Sequence, residues 1–140
     1  MFKNIFKKKE SKNNNNSKIL IASILVHAAK IDEAYTDIEK EIIKKALINL
    51  NSISSLEAEE ILKEAEKKEQ ESNQIIEFTK AIKKDSMDFR LKVIETLWKI
   101  VYSDGSSDNF ESNLIRRVCG LLYVSDKDSG DIKLKMKNLK

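Results

Sequence analysis

Ser103-Asp104-Gly105-Ser106-Ser107-Asp108-Asn109-Phe110-Glu111 places a glycine in an acidic, hydroxyl-rich turn between two strongly helical stretches. Its reading decides the fold because a weaker copy stands earlier, at Ile31-Asp32-Glu33-Ala34-Tyr35-Thr36-Asp37-Ile38-Glu39. In the first copy Thr36 and Glu39 have capping-box spacing. The hydroxyl accepts the amide three residues on, and the carboxylate reaches back to the cap's own amide. In the second copy Asp108 and Glu111 hold the same places. The pattern predicts two helix–acidic turn–helix units.

A shift of 72 residues, from Asp32 to Asp104, brings more than the turns into register. Before the turns, Ile19 meets Leu91, Leu25 meets Leu97, Val26 meets Trp98 and Ala28 meets Ile100. After them, Ile38, Ile42, Ile43, Ala46, Leu47 and Leu50 meet Phe110, Leu114, Ile115, Val118, Cys119 and Leu122. Helical periodicity alone would align two apolar stripes, but not the turns as well. Two copies are too few for a solenoid, so we expect a compact bundle with pseudo-twofold character and both turns near a common face.

The remaining chain is helical in pattern. With 140 residues, no proline and three glycines, it is one all-α domain of about seven helices. The first helix is expected from an N-cap at Ser17 to about Lys30, apolar on most sides and therefore central. Residues 1–16, with a polar tract at Asn13 to Asn16, read as a tail and linker ahead of a domain at 17–140. Ser54 with Glu57 suggests a capping box for a helix burying Leu56, Ile61, Leu62 and Ala65. Its outer face carries seven Glu against three Lys between 57 and 71, with Glu59/Lys63 and Glu64/Lys68 spaced to pair. A short helix follows around Ile75, Ile76, Phe78, Thr79 and Ile82, capped by Ser72 or Asn73. Asp85 is the expected cap of the next, which buries Phe89, Val93, Ile94, Leu97, Trp98 and Val101. Gly120 suggests a close helix contact. Ser125 caps a last helix with a seam of Ile132, Met136 and Leu139.

Charge narrows the functions. The net charge is +3, but residues 1–12 carry five Lys against one Glu and residues 126–140 five Lys against three Asp. The body, 13–125, is therefore net negative, which argues against nucleic-acid binding through a folded basic face. Within 1–12, Phe2, Ile5 and Phe6 stand among lysines, a pattern that suits weak contact with an anionic membrane surface or a solubilising tail. The run Ile19–Val26 is too short to span a bilayer, and no secretory signal is visible, so the expected location is cytoplasmic, with peripheral membrane contact open.

Chemistry is narrowed further by one Cys and one His. They exclude an internal disulfide, a Cys/His zinc site and a di-iron bundle motif. His27 matches Lys99 and reads as a bystander on a solvent-reaching edge. Cys119 matches Leu47 and reads as core; Trp98 and Tyr102 read as packing. No enzyme is expected. The sharp alternative is a divalent cation, Ca²⁺ or Mg²⁺, held by Asp104, Asp108 and Glu111 together with Asp32, Asp37 and Glu39. Hard cations take several oxygen ligands, although glycine directly after the first Asp is not EF-hand spacing. The same carboxylates serve equally as helix caps, and both readings stay open.

The stretches Ala28-Ala29-Lys30-Ile31-Asp32 with Tyr35-Thr36-Asp37-Ile38-Glu39, and Ile100-Val101-Tyr102-Ser103-Asp104-Gly105 with Phe110-Glu111, carry a family likeness. Arg116-Arg117 and Gly120-Leu121-Leu122-Tyr123-Val124-Ser125 extend it. Together they resemble the tellurite-resistance protein B (TerB) family over about residues 17–138. The resemblance implies an all-helical bundle with paired acidic motifs, the same domain as the N-terminal part of the DjlA co-chaperone. It implies a non-enzymatic role in metal-related stress, through a divalent metal or a protein partner near the membrane. Glu33 stands where the second copy has Gly105, a departure from two equal loops.

Overall fold

The structure, a computed structural model, describes residues 2–31, 35–71, 75–104 and 109–138, with backbone alone for 2–15, 104 and 109–111. Among them are seven α-helices: α1 (Phe2–Lys30), α2 (Asp37–Asn51), α3 (Ser55–Glu71), α4 (Ile75–Lys83), α5 (Met87–Val101), α6 (Asn109–Leu121) and α7 (Asp126–Asn138). A 3-10 turn, Tyr102–Asp104, follows α5, and there is no strand among the described residues. The all-α, seven-helix expectation holds.

The centre of the bundle is the second half of α1. Ile21, Ala22, Ile24, Leu25, Val26, Ala28 and Ala29 are all buried there, as the nearly all-round apolar sequence requires. This segment packs against α2, α3, α4 and α5, most extensively against α3. Ala22, Ala28 and Ala29 on α1 and Ala58 and Ala65 on α3 are small and buried, which lets two helix axes come close. Phe78 and Ile82 of α4, and Val93, Ile94, Leu97 and Trp98 of α5, complete the core.

The duplication is visible as two three-helix units, α1–α3 and α5–α7. In each, the first helix packs on the second and on the third. Each second helix ends on a left-handed residue: Ser52 at φ 52° and Tyr123 at φ 57°, the two non-glycine residues with positive φ among those described. Each third helix then starts from a serine cap. Ser54 Oγ accepts the Glu57 amide at 3.2 Å, and Ser125 Oγ accepts the Asp128 amide at 3.1 Å. The offset between copies is 72 at the acidic turns and 71 here, Ser52 to Tyr123 and Ser54 to Ser125. At the end of α6, the Val124 N–H donates to the Cys119 carbonyl at 2.9 Å and the Tyr123 N–H to the Gly120 carbonyl at 3.4 Å. That is a Schellman closure with tyrosine where glycine is usual.

Several local expectations are corrected. α1 begins at Phe2, so Ser17 lies inside a helix rather than capping one, and the backbone is helical through Asn13–Asn16. Ser86, not Asp85, caps α5, its hydroxyl accepting the Phe89 amide at 3.2 Å. Ile38, Leu56 and Ile76 are exposed rather than core. Each sits at the second position of its helix, where Cα–Cβ bonds lean toward the N-terminus and carry the side chain past the end of the packed face. Gly120 marks no close contact: nothing lies within 4 Å of where its Cβ would be. Lys68 pairs with Glu77 of α4 at 3.5 Å rather than along its own helix. The expected caps Ser72, Asn73 and Asp108, and the seam residue Leu139, lie outside the described residues.

Candidate functional site

Around the first acidic turn, three helix ends meet. The last turn of α1 contributes His27 and Lys30, three residues apart and so on one face. The first turn of α2 contributes Thr36, Glu39 and Lys40, and the last turns of α3 contribute Glu66 and Glu69.

Glu69 is the hinge of the arrangement. It is buried near the end of α3. Lys30 Nζ donates to its Oε2 at 2.9 Å, and His27 Nδ1 lies 3.2 Å from its Oε1. Burial alone would push this carboxyl up. The hydrogen bonds of Lys30 and then His27, with their charges, overcome burial and hold it below the ordinary carboxylate value. The Lys30 ammonium in the last turn of α1 also suits the negative pole of that helix.

Tyr35 stands between the two lysines of the cluster. Lys40 Nζ lies 4.9 Å and Lys30 Nζ 5.9 Å from its ring centroid. Lys40 also reaches Glu66 at 3.9 Å. The Tyr35 hydroxyl is buried without a hydrogen-bond partner. Burial first, then the carboxylates of Glu66, Glu39 and Glu69, push its ionisation far upward, so the phenol stays protonated. An unmade bond of this kind costs about 1–3 kcal/mol, and in a native protein it calls for an explanation.

The capping box is formed as the spacing predicts. The Glu39 amide donates to Thr36 Oγ1 at 3.1 Å, and the Thr36 amide donates to Glu39 Oε1 at 2.9 Å. Thr36 Oγ1 lies 3.1 Å from the same oxygen. Of the six carboxylates expected to hold a cation, Asp37 and Glu39 are thus placed on the first turn of α2, the former exposed and the latter buried. Asp104 ends the 3-10 turn and Glu111 lies in α6, each with backbone alone described. Asp32 and Asp108 lie outside the described residues. Among the described residues no three His, Cys, Asp or Glu side chains gather closely enough to hold a metal ion.

Sequence reading missed Glu66, Glu69, Lys30 and Tyr35, and the contact between His27 and Glu69. The signal for Glu69 was present. Ala58, Ile61, Leu62 and Ala65 form the buried stripe of α3, and Glu69 continues it one turn on.

The corresponding groove of the second unit is chemically different. Trp98 Nε1 donates to Ser129 Oγ at 3.2 Å, both residues buried. The indole stacks on Tyr102 with centroids 5.9 Å apart and planes at 22°. Lys133 Nζ sits 5.1 Å over the Trp98 ring. The Cys119 thiol is buried, and burial raises its pKa against the pull of Ser129, as befits a core residue rather than a nucleophile.

A protein-family model described as tellurite resistance protein TerB matches residues 18–134. The chain belongs to the TerB family. No curated protein and no solved structure matches it. The TerB match opens within α1 and closes within α7, so it spans the aligned parts of both units of the duplication. Among the described residues of this TerB chain, no helix is long and apolar enough to cross a membrane.

Proposed function

We propose that this TerB chain is a non-enzymatic stress-response module of the cytoplasm that presents the acidic end of its first unit to a divalent cation or to a protein partner. The observation that carries the reading is the buried Tyr35 hydroxyl without a hydrogen-bond partner, within the electrostatic influence of Glu66, Glu39 and Glu69. An arriving ligand or an ordered water supplies the missing bond. The cation version is tested by amide spectra of the ¹⁵N-labelled chain during titration with Ca²⁺ or Mg²⁺. Saturable shifts at Tyr35–Lys40 and Asp104–Glu111 are expected. Unmoved amides in millimolar cation remove the cation and leave the protein partner.

The second reading is an adaptor held at a membrane by its basic N-terminal segment. It is favoured by the unbroken helical backbone from Phe2 to Lys30, which joins the lysine-rich residues 3–12 directly to the central helix. Substituting Lys3, Lys7, Lys8, Lys9 and Lys12 by Gln abolishes sedimentation with anionic vesicles if this reading is right. Unchanged sedimentation dismisses it.

A further inference from the structure

Away from the acidic turn, at the other end of the α1–α2 pair, the surface holds a cavity of about 640 Å³. Ser17 and Lys18 of α1, Asn51 at the end of α2, Lys80 and Lys84 near the end of α4, and Phe89 at the start of α5 line it. Its volume lies in the range of small-molecule sites.

The lining divides by chemistry. Leu20, Ile21, Ala81 and Phe89 supply an apolar wall, and Lys18, Lys80 and Lys84 supply three cations. None of these lysines has an ion-pair partner among the described residues, in contrast to Lys30, Lys40 and Lys68. One acid, Asp85, faces the same space, and the three cations outnumber it. Asn51, at the end of α2, adds a polar side chain to the lining. Three unpaired cations on one cavity are an arrangement that binds a multi-oxygen anion, because each ammonium can take a separate oxygen. The apolar wall, with one aromatic face, suits a carbon body attached to that anion.

We propose that this cavity binds a phosphate-bearing anion with an apolar body, either a phospholipid headgroup or a soluble phosphate ester. The site does not depend on the acidic turn, and it uses none of the residues 1–12 on which the adaptor reading rests.

The test uses the full chain, with two triple variants of equal charge change. Lys18→Ala/Lys80→Ala/Lys84→Ala empties the cavity of cations. Lys45→Ala/Lys92→Ala/Lys99→Ala removes three lysines from a smaller groove of about 270 Å³ between α2 and α5. Glycerol 1-phosphate and inorganic phosphate are titrated against each labelled chain. Vesicles of phosphatidylglycerol and of phosphatidylcholine are sedimented with each. The expected result is saturable amide shifts at residues 17–21 and 80–89 with the soluble esters, phosphatidylglycerol binding, or both. Either one weakens roughly tenfold or more in the first triple variant and stays near the parent in the second. Binding of the soluble esters identifies a free phosphate source, and binding of phosphatidylglycerol alone identifies the headgroup. Equal weakening in both variants would mean net charge rather than a site and overturns the proposal, as does a parent chain that binds neither probe. Loss of vesicle binding only on neutralising Lys3 to Lys12, with amide shifts at 17–21 intact, supports both readings separately.

Discussion

The two units of this TerB chain share a framework and differ in what fills it. In α1–α3 the groove between first and third helices closes on charge, with His27 and Lys30 gripping Glu69. In α5–α7 the positions of His27 and Lys30 are taken by Lys99 and Tyr102, and the groove closes on an aromatic pair keyed by the Trp98–Ser129 hydrogen bond. The serine caps of the third helices, the apolar stripes and the left-handed helix ends are common to both. Fold is therefore carried by what the copies share. Among the described residues the polar cluster and its unpartnered tyrosine occur in the first copy, which is why the functional reading is placed there.

If the second groove is mainly a packing joint, truncating its centre has the largest effect. Trp98→Ala removes a buried indole and is expected to cost about 3–5 kcal/mol in urea unfolding. Trp98→Phe keeps most of the packing but takes the donor from Ser129, and is expected to cost about 1 kcal/mol. Equal losses in the two variants would mean that the hydrogen bond, not packing, holds α7 in place, and the contrast between the grooves would collapse.

The first groove is expected to respond less to truncation and more to pH. Glu69→Ala strands Lys30 and His27, whose side chains are 29% and 20% exposed against 9% for Glu69. Both side chains can recover water, so the expected cost is about 1–3 kcal/mol rather than that of a fully buried pair. Because the folded state lowers the Glu69 pKa, its contribution is present above the unfolded value of 4.5 and is lost as pH falls through the folded one. Glu69→Gln should therefore flatten the stability–pH curve below about pH 4.5, while Trp98→Phe leaves its slope unchanged. An unaltered slope in Glu69→Gln would show that the pair contributes nothing to the acid limb.

Much of this architecture is legible in residue order. The Thr36–Glu39 box, the Ser54 and Ser125 caps and the stripe Val93, Ile94, Leu97, Trp98, Val101 follow from local spacing, and local physics decides them. The misses lie where neighbours decide. Ile38, Leu56 and Ile76 fit the periodicity but sit where helix geometry tips them off the core. Glu69 sits on a buried stripe, but its burial requires Lys30 and His27, which are 39 and 42 residues away in the chain. No window of sequence holds all three. Ser17 fits a cap, but nothing local to it records that the helix continues backward to Phe2.

The smallest effects test the repeat itself at its two left-handed helix ends. A non-glycine residue in that conformation costs roughly 1–2 kcal/mol, and glycine returns part of it by adding entropy to the unfolded chain. Ser52→Gly is therefore expected to stabilise by about 0.5–1 kcal/mol. Tyr123→Gly relieves the same backbone strain but also removes the ring over which Lys83 Nζ sits at 4.9 Å. Tyr123 is 66% exposed, so that contact is worth only about 0.5–1 kcal/mol. The two changes then nearly cancel, and urea midpoints should rise for Ser52→Gly and stay level for Tyr123→Gly. Equal gains at both sites would mean that the lysine–tyrosine contact adds nothing. A loss at Ser52 would mean that the two helix ends are not equivalent, and the units would then share their helices without sharing the joint that turns the second into the third.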